Sequence, residues 1–241
     1  MFARSILPRW KLKKLIHEVD KPYRDPHARN VEILNNGKDI LFRSERTGWG
    51  HYYHYDGNGN LKNALSSGKW VCGHIVAVDS VERKVYFYGY GDDPNINPFY
   101  YRLFKSDMDK GGATLISKED GQHNVHFLKS KHYYIDSYSR VDMEPKIFLK
   151  DNSGKIIIEL AKPDLSQVYA EGWKKPERFV VKAADRQTNL YGVMWKPSDF
   201  DPNRKYPIIS VVYPGPYFGF VPTGFTLDDS YCTRMAQLAL L

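Results

Sequence analysis

Short apolar and aromatic runs separated by polar turns fill the first two thirds of the chain, and they recur. One unit has apolar segments at 39–44 and 50–56, a Gly-Asn turn, and a third segment at 61–65. A second has segments at 84–88, 100–105 and 113–116, with a turn at 107–112. A third has segments at 132–136, 146–151 and 155–160, with the turn Asn152-Ser153-Gly154. The turn aspartates Asp56, Asp107 and Asp151 stand 51 and 44 residues apart. Short strands with Asp-Gly or Asn-Gly turn chemistry, repeating every ~45–50 residues at about four strands per unit, predict β-propeller blades. Propellers close with about 4–8 blades. Three blades therefore predict further ones, expected on the N-terminal side.

The pattern changes near Trp173. Segments 179–183 and 190–195 read as two strands flanking a turn at 185–189, and a Pro-rich link follows at 197–202. Segment 208–213 is continuously apolar apart from Ser210, the pattern of a strand buried on both faces of an α/β sheet. Pro214-Gly215-Pro216 then forces an irregular loop. Asp228-Asp229-Ser230 supplies N-cap residues for a helix continuing through Met235, Leu238 and Ala239. Strand, loop and helix onset is how an open α/β sheet begins. The expected fold is mostly β: a partial β-propeller over 1–172, followed over 173–241 by the incomplete start of an α/β domain.

Composition sharpens this picture. Apolar residues make up 42%, charged residues 26%, and mean hydropathy is −0.54. These values exclude a disordered chain, a collagen and a coiled coil. No run approaches the ~18 apolar residues of a membrane-spanning helix. Aromatics at 15%, 18 of the residues being Tyr, favour strands. The net charge of +7 is spread along the chain, with one dense cluster at Arg9, Lys11, Lys13 and Lys14, and reads as a solvated face. Cys72 and Cys232 have neither disulfide-framework nor zinc-site spacing. The first nine residues lack the apolar core of a signal peptide.

Several tempting constellations are explained without chemistry. His51 with His54, and His123 with His126, have H-x-x-H spacing but sit in strand-like runs. Residues three apart on a strand point to opposite faces, so neither pair converges on a metal. Asp56-Gly57-Asn58-Gly59-Asn60 begins like a calcium loop but has Leu61 at the sixth position and Ser67 at the twelfth. The turn at Asp107 and Asp109 fails the same comparison at Lys118, and Asp92-Asp93-Pro94 reads as a polar loop. The runs Tyr86-Phe87-Tyr88 and Phe99-Tyr100-Tyr101 could stack nucleic-acid bases, but packing between blades needs fewer assumptions. Ser137, Ser139 and Ser210 stand in no nucleophile motif.

Taken together, the motifs resemble a known family. Ser44-Glu45-Arg46-Thr47-Gly48-Trp49-Gly50-His51 resembles a blade motif of dipeptidyl peptidase IV-like enzymes in the prolyl oligopeptidase family. Gly68-Lys69-Trp70-Val71, Asp136-Ser137-Tyr138-Ser139-Arg140, Pro176-Glu177 and Leu190-Tyr191-Gly192-Val193-Met194 resemble further family segments. The run from Lys205-Tyr206-Pro207 to Tyr213-Pro214-Gly215-Pro216 resembles the opening of that family's hydrolase domain. The similarity extends from about Lys21 to Leu238. It implies the last blades of an eight-bladed propeller and the first part of an α/β-hydrolase domain. The implied parent activity is removal of N-terminal dipeptides, often X-Pro or X-Ala, from oligopeptides by a Ser-Asp-His mechanism.

α/β-Hydrolases carry the nucleophile in a G-x-S-x-G elbow followed by Asp and then His, and no such elbow occurs in these 241 residues. The resemblance puts the whole triad beyond this chain, which is therefore expected to be inactive alone. It implies that Tyr213 is an oxyanion-hole donor, and that Tyr23 and Arg24 line the substrate pocket. No Glu-Glu pair is present, so the family's amine-binding element is missing. A peptide substrate is implied, with no cofactor, metal or nucleic acid, and with a homodimeric parent enzyme. For a bacterial parent it implies a periplasmic or extracellular setting. The alternative, from another class, is a non-enzymatic propeller module that binds proteins or peptides.

Overall fold

A computed structural model describes residues 13–19, 31–197, 199–213 and 219–227. It contains three consecutive four-stranded antiparallel meanders. The first comprises β1 (Val31–Leu34), β2 (Asp39–Ser44), β3 (His51–Asp56) and β4 (Leu61–Ala64). The second comprises β5 (Val71–Asp79), β6 (Lys84–Tyr90), β7 (Arg102–Asp107) and β8 (Gly111–Leu115). The third comprises β9 (Gln122–Phe127), β10 (Tyr133–Arg140), β11 (Met143–Asp151) and β12 (Ile156–Ala161). A short helix α1 (Ser166–Ala170) leads to a hairpin of β13 (Glu177–Lys182) and β14 (Asn189–Met194). Three sheets of this kind in sequence are blades of a partial propeller.

The second and third strands of the first two sheets are buried on both faces, which is why they read as near-continuous apolar and aromatic runs. Between the first and second sheets lie Leu41, Tyr52, Leu65, Cys72, Val85, Phe87, Phe104 and Met108. Between the second and third lie Tyr86, Tyr88, Leu103, Ile116, Val125, Phe127 and Tyr134. Burying each large side chain contributes about 1.5–3 kcal/mol, so these interfaces dominate the cohesion of the stack. The aromatic run 86–88 is spent here: Tyr86 packs on Phe127 and Phe87 on Tyr52.

The three repeat aspartates do one job. Asp56 Oδ1 accepts the N–H groups of Asn58 and Asn60, each at 2.9 Å. Asp107 Oδ1 accepts those of Asp109 and Lys110, and Asp151 Oδ1 those of Ser153 and Lys155. Each carboxylate thus folds the turn between the third and fourth strands of its sheet, as an Asx turn does. Gly154 in the last of these turns has φ +94°, and a Cβ there would stand 2.2 Å from the Ile116 carbonyl oxygen of the preceding sheet. Gly111 meets the Ala64 carbonyl in the same way.

Arg43 and the Gly50 carbonyl, which accepts the Cys72 N–H at 2.8 Å, fasten the first sheet to the second, and the Ser44–His51 motif shapes the turn between β2 and β3. Arg43 Nε donates to the Cys72 carbonyl at 2.9 Å, and the guanidinium passes so close to Gly50 that a Cβ there would collide with it. Arg46 lies 4.0 Å over the Tyr53 ring and donates to the Tyr55 hydroxyl. Glu45 accepts the Gly48 N–H to close the turn, and Gly48 has φ +85°. Trp70 stacks on Phe104 at 4.5 Å.

The sequence expectation departs from the structure in two places. The first strand of each sheet, β1, β5 and β9, is absent from the segments picked out above. Also, residues 208–213, expected as a buried strand, pair with no strand among the described residues, and Ile208 is 90% exposed. A segment becomes a strand only against a neighbouring edge, and 208–213 is paired with none of the described strands. The Pro214–Pro216 loop and the helix expected from Asp228 lie outside the described residues.

Candidate active site

The chain after α1 does not stand apart from the sheets. It packs on their β6–β7 and β10–β11 connections. Arg178 on β13 donates to Asp142 at 3.0 Å and to the Tyr100 hydroxyl at 3.2 Å. Tyr191 on β14 meets Phe99 edge-on at 5.9 Å. The Phe225 N–H donates to Ser139 Oγ at 3.0 Å, and the Phe225 ring meets Trp173 at 5.6 Å. Glu144 accepts from Lys175 at 2.6 Å and from the Tyr169 hydroxyl.

These contacts set the charge state of the contact surface. Burial works against ionisation of Asp142, but hydrogen bonds and charge from Arg140 and Arg178 outweigh it and hold its pKa below the usual carboxylate value. The hydrogen bonds from Lys175 and Tyr169 bring Glu144 down to about 2. Burial raises the Tyr100 phenol, even with Arg178 beside it. Both carboxylates are therefore anionic acceptors across the neutral range.

Tyr213, the expected oxyanion donor, ends the extended segment after the hairpin. The residue is 59% exposed and its ring stacks on Phe220 at 6.0 Å. A phenol on a segment held by aromatic contacts can donate a hydrogen bond to a bound molecule. Tyr23 and Arg24, the expected pocket residues, lie outside the described residues. A concavity of about 360 Å³ is lined by Leu15 to Val19, Arg46, Tyr55 and Gly59 and shares no residue with the Tyr213–Phe220 stack.

The histidine pairs diverge as strand geometry requires. His51 is held by Ser66 Oγ and the Gly68 carbonyl, whereas His54 faces Asp39 and the Met108 carbonyl. Asp39 stays well below the ordinary carboxylate value: burial opposes this, but Arg83, Asn35 and His54 prevail. Glu119, His123 and Asp136 do come together within metal-ligand distance. The Lys150 ammonium already occupies that cluster, 2.5 Å from Glu119 and 2.8 Å from Asp136. An internal cation thus already pairs with both carboxylates, through Glu119 Oε1 and Asp136 Oδ2. Cys72 is buried against Ser66, and burial pushes its thiol up to about 12, which removes thiolate reactivity.

Sequence reasoning missed Ser139, Asp142 and Glu144 as contact residues. The alternation Ser-x-x-Asp-x-Glu across a hairpin tip was the available signal, but its partners lie 25 to 86 residues away in the chain.

The comparisons with known proteins agree with this architecture. The family model "Dipeptidyl peptidase IV (DPP IV) N-terminal region" matches residues 4–145. Dipeptidyl peptidase 4 of Trichophyton equinum is 25% identical over 187 residues, covering 75% of this chain and 24% of the relative. Human dipeptidyl peptidase 8 is 24% identical, covering 87% of this chain and 26% of the relative. The chain thus spans about a quarter of the length of the curated relatives it matches. The crystal structure of Porphyromonas gingivalis dipeptidyl peptidase 4 superposes with a TM-score of 0.66 at 24% identity, covering 83% of this chain and 29% of that one. With three propeller blades in place and more than half of its residues within the family model, the chain belongs to the dipeptidyl peptidase IV family, matching its N-terminal region.

Proposed function

We propose that this chain is the propeller-to-hydrolase portion of a serine-type dipeptidyl aminopeptidase, in which the blades orient an oligopeptide and Tyr213 stabilises the tetrahedral intermediate. The observation that carries this proposal is Tyr213, an exposed residue stacked on Phe220 in a C-terminal stretch that the Phe225 N–H ties to Ser139 on the blades of a dipeptidyl peptidase IV family member. A phenolic O–H aimed at developing negative charge is worth more in the transition state than in the ground state. Tyr23 and Arg24 would supply an aromatic face and a guanidinium to the peptide backbone. The nucleophile, acid and base would come from residues beyond Leu241, since no G-x-S-x-G elbow lies in the chain.

The test compares two polypeptides on Gly-Pro and Ala-Pro chromogenic substrates. The full-length protein is expected to release dipeptides and to be blocked by a serine-directed phosphonate. The 241-residue chain is expected to be silent, because oxyanion stabilisation without a nucleophile gives at best residual catalysis. A full-length protein that binds peptides but never cleaves them would replace this proposal with the binding-module alternative.

A further inference from the structure

Three acceptors on one hairpin tip grip three separate parts of the C-terminal third. Ser139 at the end of β10 takes the Phe225 N–H, Asp142 in the turn takes Arg178 of β13, and Glu144 at the start of β11 takes Lys175 and the Tyr169 hydroxyl. Arg140, between them, donates to Asp142 and to Asp120 on the β8–β9 connection, each at 2.9 Å, so the tip is itself anchored to the blades. Trp173 closes over the Phe225 ring, and Tyr169 in turn lies 5.7 Å from Trp173. The gripped Phe225 is five residues beyond Phe220, whose ring stacks on Tyr213.

We propose that the β10–β11 tip is a clasp that holds the C-terminal segment on the propeller, and that Ser139 is a positioning residue for the Tyr213 phenol. Ser139 touches no reacting group. It acts through the Phe225 N–H and the Phe220–Tyr213 stack. Holding a donor in place before reaction avoids reorganisation in the transition state, which is where oxyanion donors gain their effect. The clasp itself stands on the contacts alone; the positioning role rests on the oxyanion function proposed above.

The experiment pairs hydrogen exchange with kinetics on the full-length protein carrying Ser139→Ala, Ser139→Thr or Asp142→Asn. Loss of one such hydrogen bond is expected to speed exchange of the amides at 219–227 by about 2–10-fold in Ser139→Ala. Asp142→Asn should do the same for 177–182, while β6 and β7 stay unchanged. In Ser139→Ala, kcat is expected to fall by about 2–10-fold with KM held, and Ser139→Thr, which keeps the hydroxyl, should restore both readouts. The kcat loss should vanish when Tyr213 is already Phe, an outcome that a general loss of stability would not produce. Unchanged exchange at 219–227 in Ser139→Ala overturns the clasp, and an undiminished kcat loss in the Tyr213→Phe background overturns the positioning role. A Tyr213→Phe variant with parental kcat would remove the oxyanion function, yet the exchange arm would still decide the clasp.

Discussion

Lys150→Met tests the charge cluster inside the third sheet. The Lys150 side chain is fully buried, with its ammonium 2.8 Å from the equally buried Asp136 and 2.5 Å from the partly exposed Glu119. Met keeps most of the apolar stem, so the change in volume is small. What it leaves behind is a buried carboxylate without its cation. Breaking a buried pair on one side typically costs about 3–5 kcal/mol. Asp136 retains the His123 Nδ1 contacts at 2.9 and 3.0 Å, which puts the expected loss at the lower end, about 3 kcal/mol. With an m-value of about 1–3 kcal/mol per molar urea, the midpoint should fall by roughly 1–3 M, read by tryptophan fluorescence.

The pH dependence of that loss follows from the two shifts. Burial opposes ionisation of Asp136, but His123 and Lys150 hold its carboxyl below the ordinary value. A depressed carboxylate contributes stability above its unfolded pKa of about 3.9 and loses it as the pH falls through the folded value. Burial disfavours the charged form of Lys150, yet Asp136 and Glu119 raise its pKa overall. Its contribution is therefore complete below about pH 10.4 and is lost above that. The gap between parent and variant should be widest near neutrality and narrow in acid. Adding Asp136→Asn to Lys150→Met should recover part of the loss, because the fully buried carboxylate is then gone and only the partly exposed Glu119 lacks its cation. A Lys150→Met protein within about 0.5 kcal/mol of the parent would refute the reasoning, since changes of that size are typical of surface positions.

Two further outcomes follow from the turns. Gly154→Ala places a Cβ 2.2 Å from the Ile116 carbonyl at a φ of +94° and should destabilise the chain by about 1–3 kcal/mol in the same denaturation assay. The Lys84 hydrogen bond, with the N–H groups of Lys110 and Asp109, brings the Asp107 carboxyl down to about 2. Its NMR titration midpoint should lie there and move up towards the ordinary value in Lys84→Met, and its stabilising effect should be lost as the pH falls towards 2.

The repeat is legible in the sequence because its cause is local. A turn aspartate must sit where two N–H groups need an acceptor, so Asp56, Asp107 and Asp151 mark three hairpins by their spacing alone. Middle strands such as β6 and β7 announce themselves because both faces are buried. The first strands do not, for identifiable reasons. β1 is short and exposed, β5 is interrupted by Gly73 and by two register shifts, and β9 interleaves His123, Asn124 and His126 with its apolar positions. Segment 208–213 shows the opposite failure: apolar continuity describes what a strand wants to bury, but it cannot supply the neighbouring edge.

At the candidate site, the motif around Tyr213 is readable as a sequence, whereas its setting is not. Ser139 has no motif context, and only the fold brings it to the Phe225 N–H, 86 residues later. Asp142 and Glu144 are ordinary hairpin carboxylates until Arg178 and Lys175 arrive on them. Pairings of this range arise from how the blades stack and how the chain returns across their connections. No local propensity encodes them.

Tyr213→Phe in the full-length protein, assayed on a Gly-Pro chromogenic substrate, tests the central claim most directly. The substitution removes one hydroxyl from an exposed residue and leaves the stack on Phe220 in place. If that hydroxyl donates to the oxyanion, kcat falls about 10²–10³-fold, roughly 3–4 kcal/mol in the barrier, while KM and the denaturation midpoint stay near the parental values. A Phe variant with parental kcat would contradict the catalytic role assigned to Tyr213.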